Sequence, residues 1–134
     1  MGFVRSCVRE GGMERDAITG DGWLANPNLV ISATDADAVL SAATIAGGIA
    51  QFTTLSADRT ITSDTAAAIL AALPQMEDGD TYPFMVSNID ATNKVTLAGG
   101  VGVTASGNLD VLTLTSRFFL IRRTSSTLVD LVGC

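Results

Sequence analysis

The sequence predicts a mainly β protein, a β-sandwich or jelly roll with one short helix at about residues 64–73 and an irregular N-terminal arm. Three observations carry this. After residue 48, short apolar runs recur about every ten residues between Gly, Asn, Ser and Asp turn signals. Only Asp64 to Pro74 combines a capping residue, strong helix formers and a proline stop. Before residue 48 the composition is mixed and turn-rich, with Gly11-Gly12, Gly20-Asp21-Gly22 and Asn26-Pro27-Asn28. The domain reading is therefore an arm or extension over 1–48 and a β-sandwich over 49–134.

Within the arm, Leu29-Val30-Ile31 reads as a strand, and Ala36 to Ile45 as a small-residue helix or coil. Thr34 or Asp35 would cap that helix and Gly47-Gly48 would end it. The first ~25 residues show little apolar periodicity and read as an arm that needs a partner surface to become ordered. Trp23, the only tryptophan, lies here. It either folds back on the domain or anchors an interface, where tryptophan is enriched.

In the β domain, Gln51 to Leu55 and Arg59 to Thr62 read as strands. Asp64 caps the helix, Pro74 stops it, and Ile69, Leu70 and Leu73 share the face that packs on the sheets. Gln75 to Thr81 is an acidic loop. Tyr82 to Ile89 is a strand in which Pro83 favours an edge or a strand start. Asp90 to Asn93 reads as a hairpin turn into Lys94 to Leu97. Further strands are expected at Val101 to Thr104, Leu109 to Thr115, Phe118 to Arg123 and Thr127 to Val132, divided by Gly- and Ser-containing turns.

Composition removes many functions. The 134 residues are 47% hydrophobic and 16% charged, with 8 Lys+Arg against 14 Asp+Glu and a formal charge of −6. That balance speaks against nucleic-acid binding, which needs a basic face, and against docking on an anionic membrane. No run reaches the ~18 apolar residues of a membrane-spanning helix, and the N-terminus lacks the apolar core of a signal peptide. The chain is expected to be soluble. Gly2 and Ser6 fit a myristoylation pattern short enough to match many chains by chance. With no histidine, a Ser-His-Asp or Cys-His nucleophile and a His-containing zinc site are impossible. Cys7 and Cys134 read as reduced thiols near the two ends.

The remaining chemical signals are weak. Asp78 with Asp80, or Asp35 with Asp37, are carboxylates two positions apart in loops, not the two sides of a sugar site. Glu77-Asp78-Gly79-Asp80 has hard-oxygen ligands but lacks the EF-hand spacing. Ala98-Gly99-Gly100-Val101-Gly102 fits neither phosphate-loop nor dinucleotide spacing. The expectation is no enzyme, no metal and no cofactor. Arg122 shares a strand face with Leu120, as a solvated or salt-bridged edge residue or as a partner for carboxylates of a neighbouring subunit.

The stretch from Ala66 to Cys134 resembles small virion proteins of tailed bacteriophages. The shared cadence is Ala68 to Pro74 in the helix, a short Gly-Asp loop, and an aromatic strand containing Ser87-Asn88. After these come Asn93 to Thr104 and Ser116 to Arg122. The family it resembles is the capsid decoration, or cement, proteins. The resemblance implies a structural virion protein, a jelly-roll homotrimer that binds the major capsid protein on the capsid exterior. Such a protein stabilises the shell by bridging neighbouring capsid subunits, after synthesis in the host cytoplasm. The alternative is a receptor- or carbohydrate-binding β-domain of a phage tail fibre, working through loops near 77–82 and 99–108. A chain with its own methionine and a strand near its end favours the free-standing decoration protein. The partner-binding residues expected are Phe3, Val4, Trp23, Leu24, Leu29, Ile31 and Arg122.

Overall fold

The computed structural model describes residues 28–32, as strand placement only, and residues 35–134. They form two sheets and two short helices. The strands are β1 (Asn28–Ser32), β2 (Ala38–Leu40), β3 (Gly48–Phe52), β4 (Arg59–Ser63), β5 (Thr81–Asn88), β6 (Val95–Ala98), β7 (Val103–Gly107), β8 (Asp110–Val111), β9 (Thr115–Arg123) and β10 (Val129–Gly133). Helix α1 (Ala42–Gly47) follows β2, and α2 (Ala66–Ala72) follows β4. The larger sheet has the order β1-β3-β5-β9-β10-β7 and the smaller one β2-β4-β6-β8. The architecture is mainly β and consistent with the sandwich expected.

The path between the sheets is a repeat. The chain lays a strand in the large sheet, a strand in the small sheet and then a helix, and does so twice before a third strand pair, β5 and β6. Equivalent strands stack in parallel: β1 on β3 on β5, and β2 on β4 on β6. Local sequence explains each coil. Ser41-Ala42-Ala43-Thr44-Ile45 and Thr65-Ala66-Ala67-Ala68-Ile69 are the same device: a hydroxyl N-cap, small residues and one buried isoleucine. The Ser41 hydroxyl accepts the Thr44 N–H and the Thr65 hydroxyl accepts the Ala68 N–H, each at 3.2 Å. Ile45 and Ile69 are both fully buried. Likewise Asp37 and Asp58 each stand just before a small-sheet strand and accept a backbone N–H of the next coil, from Thr60 and Lys94.

After β6 the helix is replaced by Gly99-Gly100-Val101-Gly102, and β7 to β10 finish the two sheets. No side chain fits at Gly100, where a Cβ would run into the backbone carbonyl of Ser63. The core lies between the sheets, with Tyr82, Phe84, Val86, Val95, Leu97, Phe119, Ile121 and Leu131 almost wholly buried. Phe84 and Phe119 face each other across β5 and β9, with ring centroids 5.6 Å apart. Each such side chain contributes roughly 1.5–3 kcal/mol of hydrophobic stabilisation.

Several expectations differ from this fold. A jelly roll is built from antiparallel Greek keys, whereas β1/β3, β3/β5, β2/β4, β4/β6 and β7/β10 pair in parallel. Turn residues mark where a strand ends, not whether the next one pairs beside it or crosses to the other sheet. For the same reason Asp90 to Asn93 is not a hairpin turn but an arch between sheets, since β5 and β6 belong to different ones. The strand expected from Leu109 to Thr115 is the two-residue β8 followed by a turn into β9. The expected small-residue helix from Ala36 is strand β2 and then α1, capped by Ser41 and not by Thr34 or Asp35. The cap of α2 is Thr65 in place of Asp64, whose carboxylate instead accepts the Ala42 and Thr65 N–H groups. Finally, the segment from Asn28 to Gly47 supplies β1, β2 and α1, so the two sheets reach back across the boundary expected at residue 48.

Candidate interaction surface

Strand β9 carries an unbroken apolar run, Phe118-Phe119-Leu120-Ile121, so both of its faces are apolar. Phe119 and Ile121 enter the core, and Phe118, Leu120 and Arg122 take the outer face of the large sheet, where Phe118 is 58% exposed. Strand β5 repeats the arrangement. Tyr82, Phe84 and Val86 point inward, leaving Pro83 and Met85 half-buried outside.

Register assembles these positions into two rows. Ile49, Met85 and Phe118 lie side by side on β3, β5 and β9. Pro83, Leu120 and Val132 lie side by side on β5, β9 and β10. With strands ~4.8 Å apart, each row spans about 10 Å between its outer members. Cys134, exposed, sits beside Phe118, whose carbonyl accepts the Cys134 N–H. The margin is polar: Thr81, Arg122 and Asp130 share one level, and Arg122 reaches the Asp130 carboxylate at 3.5 Å. Both partners are substantially solvated, so this ion pair adds little stability.

Of the partner-binding residues expected, Leu29, Ile31 and Arg122 fall in this one sheet. Leu29 occupies the register position beside Ile49, at the end of the first row, and Ile31 that beside Gln51, in line with Ser87 and outside both rows. Phe3, Val4, Trp23 and Leu24 lie outside the described residues. Sequence reasoning missed Ile49, Pro83, Met85, Phe118, Leu120 and Val132 as a surface. The signal was present, because a strand with no polar alternation has two apolar faces.

The carboxylates have structural partners. Asp35 bonds the Ser56 N–H and pairs with Arg59 at 2.9 Å, and these contacts, the backbone N–H first, hold its pKa below the ordinary value. Asp78 pairs with Arg123 at 2.9 Å, and Asp80 accepts the Glu77 N–H. Asp110 is lowered by the Thr96 hydroxyl and then by Lys94. Asp90 is lowered to about 2, because the backbone N–H groups of Leu55, Thr92 and Asn93 all point at its carboxylate. Burial raises the Tyr82 hydroxyl, which donates to the Ala46 carbonyl. Among the described residues no group of three or more His, Cys, Asp or Glu is placed to hold a metal ion. No helix among them is long and apolar enough to cross a membrane.

Ile89, Leu112 and Leu114 are further exposed apolar residues, and Ile89 directly precedes Asp90. Leu114 donates its N–H to the Asp90 carbonyl and is the one non-glycine residue described with positive φ, at 56°. No protein-family model, curated protein or solved structure matches this chain.

Proposed function

We propose that this protein is a structural virion protein that binds the outer surface of a bacteriophage capsid and stabilises the shell by bridging neighbouring capsid subunits. The observation that supports this reading is the outer face of the large sheet. It carries exposed Phe118 together with half-buried Met85, Leu120, Pro83 and Val132 in register, and Leu29 takes the β1 register position beside Ile49 of the same face. A contiguous apolar face rimmed by polar residues is characteristic of a surface meant for a partner. The resemblance over Ala66 to Cys134 supplies the kind of partner.

Stabilisation in this reading is linkage: a protein that binds the assembled lattice better than separated subunits favours the lattice. A homotrimer would let three modest contacts act together, so that release requires all of them to open.

The test is co-sedimentation of the purified protein with undecorated phage heads. Saturable binding is expected, weakened at least tenfold by Phe118→Asp or Met85→Asp, with the far-UV spectrum and the melting temperature kept. A protein that leaves heads untouched at saturating concentration overturns the reading. Binding to host cells or glycans instead would move it to a tail fibre.

A further inference from the structure

The two sheets treat their edges differently. The small sheet ends in β2, of three residues with Asp37 just before it, and β8, of two residues including Asp110. Short acidic edges are the usual protection against strand-to-strand association. The large sheet ends in β1 and β7, each of five residues, and neither contains a charge or a proline. No charged residue occurs between Lys94 and Asp110, or between Asp21 and Asp35. Glycines with positive φ, Gly102 and Gly107, bound β7. Val103 and Ala105 lean toward the core while Thr104 and Ser106 are exposed. Among the described residues, only β10 pairs with β7 and only β3 with β1.

Direction makes these edges complementary. β1, β3 and β5 are mutually parallel, β9 runs against β5, and β10 runs against β9 with β7 parallel to it. β7 therefore points the same way as β1. A neighbouring copy turned about an axis along the strands can set its β1 against β7 in the same parallel pattern already present at both ends of the sheet.

We propose that copies of this chain associate head to tail, β7 of one protomer pairing with β1 of the next. One contact type then pairs both of the edges that are open among the described residues. A heterologous contact of this kind closes into a ring when the rotation fits. The proposal rests on the homo-oligomeric part of the function proposed above and not on the capsid as target.

The full-length chain is tested in solution, without capsids. Light scattering is expected to give a closed oligomer, and the double variant Thr104→Lys/Ser106→Lys is expected to shift it to the 13.8 kDa monomer. Both positions are exposed, so the fold, checked by circular dichroism, is retained. For the pairing itself, Cys7→Ser/Cys134→Ser chains bearing Thr104→Cys are co-expressed with chains bearing Leu29→Cys or Ile31→Cys. A disulfide-linked dimer on oxidation is expected from the co-expressed pair and from neither chain alone. Cross-linking by Thr104→Cys chains alone would mean β7 against β7 and overturns the head-to-tail pairing. An oligomer unchanged by the lysines also overturns it, while leaving the homotrimer standing. A wild-type monomer overturns both, and capsid binding is then judged by co-sedimentation alone.

Discussion

Asp90 and Leu55 are 35 positions apart in sequence, yet the Asp90 carboxylate accepts the Leu55 N–H at 3.1 Å. Asn93 completes the bracket by donating to the Leu55 carbonyl at 2.7 Å. The arch that leads from β5 to β6 is thereby fastened to the arch of the preceding coil, and Asn88, fully buried, ties it to β8 through the Val111 carbonyl.

This bracket predicts an acid-sensitive fold. The Asp90 pKa is depressed to about 2 from an ordinary 3.8, so its stabilisation is complete above the ordinary value. It is lost as pH falls from about 4 through about 2. The Asp90→Asn variant is expected to melt several degrees lower at neutral pH and to show a shallower loss of stability across that window. Urea titrations from pH 5 to pH 2 check both, and an unchanged slope would refute the assignment.

Leu114 predicts a gain. A left-handed backbone costs a bulky residue roughly 1–2 kcal/mol, and its 68% exposed side chain contributes little packing in return. Leu114→Gly relieves the strain against a glycine entropy cost of roughly 0.5–1 kcal/mol. The variant is expected to be more stable by about 0.5 kcal/mol, read from the urea midpoint.

The repeated isoleucines predict matched losses. Ile45→Ala and Ile69→Ala each remove a fully buried side chain and are expected to cost about 2–5 kcal/mol. The helices touch, so the double variant is expected to depart from additivity. Denaturant unfolding of the three proteins measures it.

Gly133 predicts a failure to fold normally. A Cβ there would overlap the backbone carbonyl of Asn108, which has no flexible end to move aside. Gly133→Ala is expected to accumulate in the insoluble fraction or to melt far below wild type, as expression followed by calorimetry would show. Gly79, where a Cβ meets nothing within 4 Å but φ is 92°, is expected to tolerate alanine with a milder loss, set by backbone strain alone.

Much of the local structure was legible. The helix at Ala66 to Ala72 follows from its alanines and Pro74, with the cap one residue later than expected, and the strands at Arg59 and Phe118 from their residue types. The coil repeat was legible as well, since Ser41 to Ile45 and Thr65 to Ile69 are near copies, but it shows only when two distant segments are compared. The outer-face surface was half legible. Arg122 could be named from its residue type, whereas Met85 and Val132 gain meaning only beside Phe118 and Leu120.

The residues alone determined that the chain is mainly β and where its principal helix lies, because turn chemistry, helix formers and apolar patterning act over a few neighbouring positions. Exact caps and strand ends shifted with the contacts each segment makes. The tertiary structure decided which strands are neighbours. Parallel stacking depends on contacts such as Asp37 with Thr60 and Asp58 with Lys94, made between segments whose separation in sequence carries no local signal. It also decided which apolar residues face water. Phe118 and Phe119 are chemically identical and adjacent, and only the pleat of a strand between two partners sends one to the core and the other to the surface.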